Sequence, residues 1–129
     1  MPLPITAFYA GLLAIWIIFL LFQVVGFRRG EGVSLGAGGS EHGERLIRGH
    51  GNATETIPIF LIMLGLAEGL GTTGWLLHIL ALAFITGRVL HGVHFLKARK
   101  GIELRFYGMI ITLLATGVLA LRLIFSVVF

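Results

Sequence analysis

Apolar residues fill four long runs of this chain, and polar or glycine-rich stretches separate the runs. They cover about residues 5–27, 57–70, 75–96 and 106–129. An α-helix needs about 20 residues to cross the hydrocarbon core of a membrane, and each run reaches or approaches that length. When the polar turns before residue 57 are added, the pattern predicts four membrane-spanning helices at about 5–27, 44–70, 74–97 and 102–127.

The composition excludes an ordinary soluble domain. Hydrophobic residues make up 57% of the 129 residues, charged residues only 12%, and the mean hydropathy is +0.97. We therefore predict an all-α fold, an integral membrane four-helix bundle that forms a single domain over 1–129. No Lys or Arg precedes the first run, so we expect a retained span rather than a signal peptide. Cysteine is absent, and any sulfur chemistry must come from a bound small molecule.

The formal charge of +4 reflects membrane topology rather than nucleic-acid binding. Eight of the ten basic residues flank the first or the third loop, namely Arg28, Arg29, Arg45, Arg48, Lys97, Arg99, Lys100 and Arg105. The positive-inside rule places both loops in the cytoplasm and both termini outside. We expect an integral membrane protein in contact with lipids, and no nucleic-acid partner.

The second predicted helix carries charges where lipid-facing residues should be apolar. Arg45, Arg48, Asn52 and Glu55 are separated by three, four and three residues, a spacing that places them along one helix face. Charges within a membrane segment are costly and therefore indicate a functional site. We interpret this polar stripe as facing something other than lipid.

Local signals surround this helix. Residues 30–40 are rich in glycine, and we expect a mobile loop with little capacity to bury side chains. Ser40 is a candidate N-cap, Pro58 should kink the helix, and a threonine before residue 74 should cap the third helix.

Polar residues from all four helices converge at the cytoplasmic side. At about 1.5 Å per residue, Glu55 lies about 16 Å below Glu44 and Arg88 about 13 Å below Lys97, so Glu55 and Arg88 could neutralise each other. The remaining polar groups lie shallower: Asn52, His91, Arg48, His94, Arg105, Arg28 and Arg29. Such an arginine-rich site suits an anionic ligand with carboxylates and amides.

These residues resemble the signature of a known family. The spacing E-R-x-x-R-A-x-x-N-x-x-E-x-x-P-x-F is matched from Glu44 to Phe60, with Gly49 in place of the alanine, and Arg88-x-x-His91 follows on the third helix. The chain thus resembles the membrane-associated proteins in eicosanoid and glutathione metabolism (MAPEG), and is most similar to their short bacterial members.

This resemblance implies a protein of the bacterial inner membrane. It also implies a homotrimer that binds glutathione as co-substrate between neighbouring subunits. It implies that Arg105 holds the glutathione thiolate as the catalytic residue. By position, the resemblance implies that Arg48, Asn52, Glu55, His91 and Arg28 or Arg29 bind glutathione. The convergence of polar residues at the same depth adds Arg45, Arg88 and His94 as candidate binding residues. Family enzymes commonly carry a tyrosine where this chain has Phe95, so a phenol contact is missing unless His94 or Tyr107 replaces it.

The resulting hypothesis is a glutathione-dependent membrane transferase or peroxidase. A free thiol has a pKa near 8.5, and an arginine within hydrogen-bond reach favours the reactive thiolate. The thiolate would attack a lipophilic electrophile or hydroperoxide that arrives through the bilayer.

Three alternatives stay open. The first is a catalytically silent glutathione-binding protein of the same fold, and the second is a structural protein whose buried salt bridges fix helix packing. The third is a small multidrug-type transporter, but those proteins depend on a glutamate in helix one, where this chain has no acid. His91 and His94 could form a metal pair, but no third ligand is evident and we predict no metal.

Overall fold

The protein folds into four α-helices and the described residues contain no strand. A computed structural model describes residues 2–97 and 102–128, in which the helices are α1 (Pro4–Glu31), α2 (Glu41–Gly69), α3 (Gly74–Leu96) and α4 (Glu103–Val128). Helices α1, α3 and α4 are long and apolar enough to cross a membrane. α2 is equally long but carries the polar stripe in its first half. The prediction of an all-α integral membrane bundle is confirmed.

The first helix is longer than the sequence pattern predicted. It ends at Glu31 rather than near residue 27, so Arg28 and Arg29 belong to its last turn. The helix dipole stabilises cations at that position. Gly32 then adopts a left-handed conformation with φ of 65°, which stops the helix.

The glycine-rich loop after α1 packs against the start of α2. Ala37 in the loop is buried, and the Arg28 side chain donates from Nε to the carbonyl of Gly36 at 3.2 Å. The loop, expected to have little capacity to bury side chains, therefore buries only Ala37. Sequence composition understated its packing, because Gly43 of α2 lacks a side chain and leaves room for the ring of Phe27 and the methyl of Ala37.

The predicted helix starts are partly correct. Ser40 caps α2 by accepting from the Gly43 N–H at 3.2 Å, as the sequence predicted. Thr73 occupies the N-cap position of α3 but its hydroxyl makes no cap bond, so the predicted threonine cap is wrong. Pro58 lies inside α2, which continues to Gly69. Arg99 and Lys100, assigned above to the third loop, lie outside the described residues.

The core centres on two stacked rings. Phe60 of α2 and Phe84 of α3 lie 3.8 Å apart at an angle of 9° and are fully buried. Leu64, Leu77 and Leu119 pack in the same cluster with no exposed surface. This apolar centre fixes α2 against α3 and α4 and sets the height of the polar residues at one end of the bundle.

Glycines allow α3 and α4 to approach closely. A Cβ added at Gly87 would lie 2.6 Å from the Thr112 Oγ1, and one added at Gly108 would lie 2.6 Å from the His91 backbone nitrogen. Because only glycine fits at such a contact, the backbones of the two helices touch. The contact places Arg88 and His91 of α3 directly beside α4.

The opposite end of the bundle is held by polar contacts. The Glu68 carboxylate accepts from the backbone N–H groups of Ile5 at 2.9 Å and Thr6 at 2.7 Å, so it caps the first turn of α1. The Tyr9 hydroxyl and His78 Nδ1 lie 2.9 Å apart. These contacts join the beginning of α1 to α2 and α3.

Candidate functional site

The polar stripe of α2 divides into two flanks. At about 100° per residue, Arg45 and Asn52 lie about 20° apart, as do Arg48 and Glu55, and the second pair is turned about 60° away from the first. Arg45 turns towards α3, where its Nη2 donates to the backbone carbonyls of His94 at 2.8 Å and Lys97 at 2.9 Å. Arg48 and Glu55 are exposed on the surface of the single chain.

Arg88 is the most deeply buried charged group of the site. It is 2% exposed and donates from Nη1 to Asn52 Oδ1 at 2.6 Å and to Thr56 Oγ1 at 3.1 Å, and from Nε to Thr112 Oγ1 at 3.0 Å. Among the described residues these partners are all neutral. The expected neutralisation by Glu55 is wrong, because Glu55 lies on the other flank of α2 and Asn52 takes the position facing Arg88.

A second group of side chains gathers around Phe95. The Arg105 guanidinium lies 5.7 Å from the centre of the Phe95 ring, and the rings of His91 and His94 each lie 5.0 Å from it. Phe95 itself is buried against Gly49 of α2, where a Cβ would come within 2.8 Å of the Phe95 Cβ. Gly49, which replaces the alanine of the sequence signature, thus makes room for this ring.

The two groups form one basic cluster. His91 joins them, because it lies one helix turn after Arg88 on α3 and shares the Phe95 ring with Arg105 and His94. Of the predicted site residues, the structure brings together Arg45, Asn52, Arg88, His91, His94 and Arg105, which come from α2, α3 and α4.

A cleft runs beside this cluster at the end of the bundle where α2 begins. Its volume is about 690 Å³. Two acids of α2, Glu41 and Glu44, and two arginines, Arg45 and Arg48, contribute to its lining. The lining residues are Gly36, Ala37, Glu41, Glu44, Arg45, Ile47, Arg48, Gly51 and Phe95. The packed α1–α2 loop therefore forms one wall of the cleft.

Arg28 and Arg29 do not line this cleft. They border a separate hollow of about 460 Å³ with Gly32 and neighbouring residues at the end of α1. Arg28 reaches the cleft only indirectly, through its bond to the Gly36 carbonyl. The single chain thus brings α1 near the cleft without placing either arginine in it.

The sequence analysis missed two hydroxyl groups. Thr56 and Thr112 both accept from Arg88, and each also donates to the carbonyl four residues earlier, at 2.8 Å and 2.7 Å. The available signal was weak: each is a small polar residue at the depth of Arg88. Hydroxyls that bond a backbone carbonyl are common in helices and carry no functional mark of their own.

Comparison with known proteins agrees with this architecture. A model of the MAPEG family matches residues 6–125. The chain is also 33% identical over 116 residues to the inner membrane protein YecN of Escherichia coli K12, a match that covers 86% of this chain and 88% of the relative. YecN of Escherichia coli O6:H1 matches to the same extent. The family match spans nearly all of the chain, and the membrane helices and the polar signature are present as well. The chain therefore belongs to the MAPEG family.

Proposed function

We propose that this protein is a glutathione-dependent transferase or peroxidase of the bacterial inner membrane, which acts on a lipophilic electrophile or hydroperoxide. The observation that carries the proposal is the basic cluster of Arg88, His91 and Arg105. Arg88 has only neutral partners among the described residues. Positive charge held in this way within a membrane bundle attracts an anion, and glutathione supplies two carboxylates and an ionisable thiol.

The proposed assembly is a homotrimer with glutathione between subunits. Arg48 and Glu55 are exposed on the same α2 face as the apolar residues Ile59, Ile62 and Leu66, whose exposed fractions are 52%, 59% and 55%. A charge facing lipid at the centre of a bilayer costs about 2.5 to 3.5 kcal/mol on insertion scales. A neighbouring copy that covers this face removes Arg48 and Glu55 from contact with lipid. It also buries the apolar side chains of Ile59, Ile62 and Leu66.

The proposed orientation places the cleft on the cytoplasmic side and both termini outside. Arg28, Arg29, Arg45 and Arg48 all lie at the cleft end of the bundle, which supports this orientation. The relative YecN is named as an inner membrane protein, which supports the same membrane for this chain. Reporter fusions at the C-terminus and in the α1–α2 loop test the orientation, since only the loop fusion should report from the cytoplasm.

In the proposed reaction Arg105 stabilises the thiolate of glutathione. For conjugation, the thiolate sulfur forms a bond to an electrophilic carbon, and the leaving group departs with the bonding electron pair. No covalent intermediate with the protein is needed. The exposed guanidinium of Arg105 lies over the Phe95 ring, and this ring also lines the cleft. Phe95 therefore holds the proposed catalytic arginine next to the cleft.

The experiment that tests this function separates binding from turnover. Purified protein in detergent is titrated with millimolar glutathione by calorimetry, and conjugation of a model aryl halide is then followed by absorbance. We expect Arg105→Leu to retain most glutathione binding and to lose turnover. Arg122→Leu, at the other end of α4, is the matched control and should retain both. Wild-type protein that fails to bind glutathione would refute the proposal.

The catalytically silent binding protein is the second candidate, and Phe95 favours it. A phenylalanine offers no hydroxyl where family enzymes commonly carry a tyrosine. Glutathione binding without conjugation or hydroperoxide reduction identifies this candidate. The transporter hypothesis gains no support from α1, whose one acid, Glu31, is the last residue of the helix and lies beyond its apolar part.

A further inference from the structure

The contact between Arg88 and Asn52 fixes which atom of the asparagine amide remains for a ligand. Arg88 Nη1 lies 2.6 Å from Asn52 Oδ1. A guanidinium has only donors, so the amide atom that faces it must be the oxygen. The Asn52 Nδ2, with its two N–H groups, therefore points away from Arg88. Among the described residues no acceptor bonds this nitrogen.

The orientation of Arg88 is itself determined by neighbouring hydroxyls. Thr56 donates its proton to the Asn52 carbonyl and Thr112 donates its proton to the Gly108 carbonyl. Each hydroxyl can then only accept from Arg88, which it does. Each bond in this network therefore has a fixed donor and a fixed acceptor. The Arg88 guanidinium can only donate, and the Asn52 amide must offer it the oxygen.

Asn52 lies at the boundary between this buried network and the exposed flank of α2. It is half-buried, one helix turn below Arg48, which lines the cleft. Its position therefore allows the Nδ2 group to meet a ligand held beside Arg48. The charge of Arg88 on the carbonyl side also polarises the amide and strengthens its N–H groups as donors.

We propose that Arg88 is a positioning residue that makes Asn52 a hydrogen-bond donor to a carboxylate or peptide carbonyl of glutathione. This inference rests on the proposed function and adds to it the direction of one recognition contact. It assigns the Nε and Nη1 donors of Arg88 to protein partners inside the bundle and, among the described residues, leaves Nη2 with only the Met109 sulfur at 3.9 Å, so Arg88 acts on glutathione mainly through Asn52. It also predicts that the ligand group at Asn52 is an acceptor and not an ammonium.

The variant Asn52→Asp separates this role from a structural one. An aspartate keeps an oxygen towards Arg88 and forms an ion pair with it, so the unfolding temperature in detergent should stay unchanged or rise. The Nδ2 donor is lost and the new carboxylate also neutralises Arg88, so glutathione affinity should fall by about 100-fold or more, whereas loss of the charge alone would lower it by about 30-fold. Thr54→Val, an exposed position on the same helix, is the control and should change neither quantity.

A second variant tests the positioning by Arg88. Arg88→Met keeps a long side chain but no donor and no charge; loss of the charge alone should lower glutathione affinity by about 30-fold, and rotation of the Asn52 amide should lower it by about a further 10-fold. Arg88→Lys, which retains one donor for Oδ1, should restore part of that loss. In the double variant Arg88→Met, Asn52→Asp, the new carboxylate has no cation partner. This protein should therefore unfold at a lower temperature than either single variant.

The outcomes distinguish this inference from the proposed function. If wild-type protein binds glutathione and Asn52→Asp binds it equally well, the donor role of Asn52 is wrong while the function stands. If Arg88→Met loses no more than the about 30-fold due to its charge, positioning by Arg88 is wrong. If wild-type protein does not bind glutathione at all, both proposals fall, and the unfolding temperatures then report only on the contact between the two side chains.

Discussion

Substitution of Gly108 by alanine tests whether the α3–α4 contact sets the geometry of the basic cluster. An added Cβ would lie 2.6 Å from the His91 backbone nitrogen, 2.8 Å from the Gly87 carbonyl oxygen and 3.1 Å from the His91 Cα. All three atoms belong to the backbone of α3. No side-chain rotation can relieve the overlap, so the two helices must move apart.

The size of the effect follows from these distances. Ordinary Cβ contacts begin at about 3.4 Å, so α3 and α4 must separate by about 0.8 Å near His91. Overpacking of this kind costs about 1 to 3 kcal/mol. The separation also lengthens the bond of 3.0 Å between Arg88 and Thr112 towards the limit of a useful hydrogen bond.

Thermal unfolding in detergent measures this cost, and Gly117→Ala on the same helix is the matched control. A Cβ at Gly117 meets nothing within 4 Å, so that variant should unfold at the wild-type temperature or slightly above it. Gly108→Ala should unfold at a clearly lower temperature and bind glutathione less tightly. A Gly108→Ala protein as stable as the control would show that α3 and α4 are not in backbone contact.

Three further predictions concern other elements. Ser40→Ala removes the cap of α2 and should lower stability by about 1 kcal/mol, whereas Ser34→Ala in the exposed loop should not, as chemical denaturation can show. Glu68→Gln leaves one acceptor for two backbone N–H groups and should lower stability by about 1 to 2 kcal/mol; unchanged thermal unfolding would contradict this cap. Phe95→Leu removes the ring beneath Arg105 and should reduce turnover more than glutathione binding, while Phe95→Tyr should preserve both, which steady-state kinetics and calorimetry can check.

The sequence predicted the helices well because their signals are local. Long apolar runs and a capping serine act within one helix or loop, and the fold class and the start of α2 followed from them. The predicted span of α1 ended at residue 27, where the apolar run ends, with Arg28 and Arg29 at the end of the helix. They continue it until Gly32, because two arginines are good helix formers and suit the last turn.

The sequence showed at which end of the bundle the polar residues lie, but it did not show how they pair. Spacing placed Arg48, Asn52 and Glu55 near one another, yet it could not assign which of them faces α3. That choice depends on an angle of about 60° around α2, and the packing of Phe60 on Phe84 sets it. Thr112 escaped notice for a similar reason, since its role exists only where Gly87 and Gly108 bring two backbones together.

The choice of Asn52 over Glu55 as the partner of Arg88 determines what the site can bind. A facing carboxylate would have neutralised the guanidinium and left the deep part of the site without net charge. A neutral amide satisfies the same donor and preserves the charge. An anion about 8 Å from that charge, at an effective dielectric constant of 20, gains about 2 kcal/mol, which corresponds to roughly a 30-fold gain in affinity. The turn of α2 that exposes Glu55 therefore also leaves Arg88 without a carboxylate partner among the described residues, which supports the proposed binding of an anionic thiol.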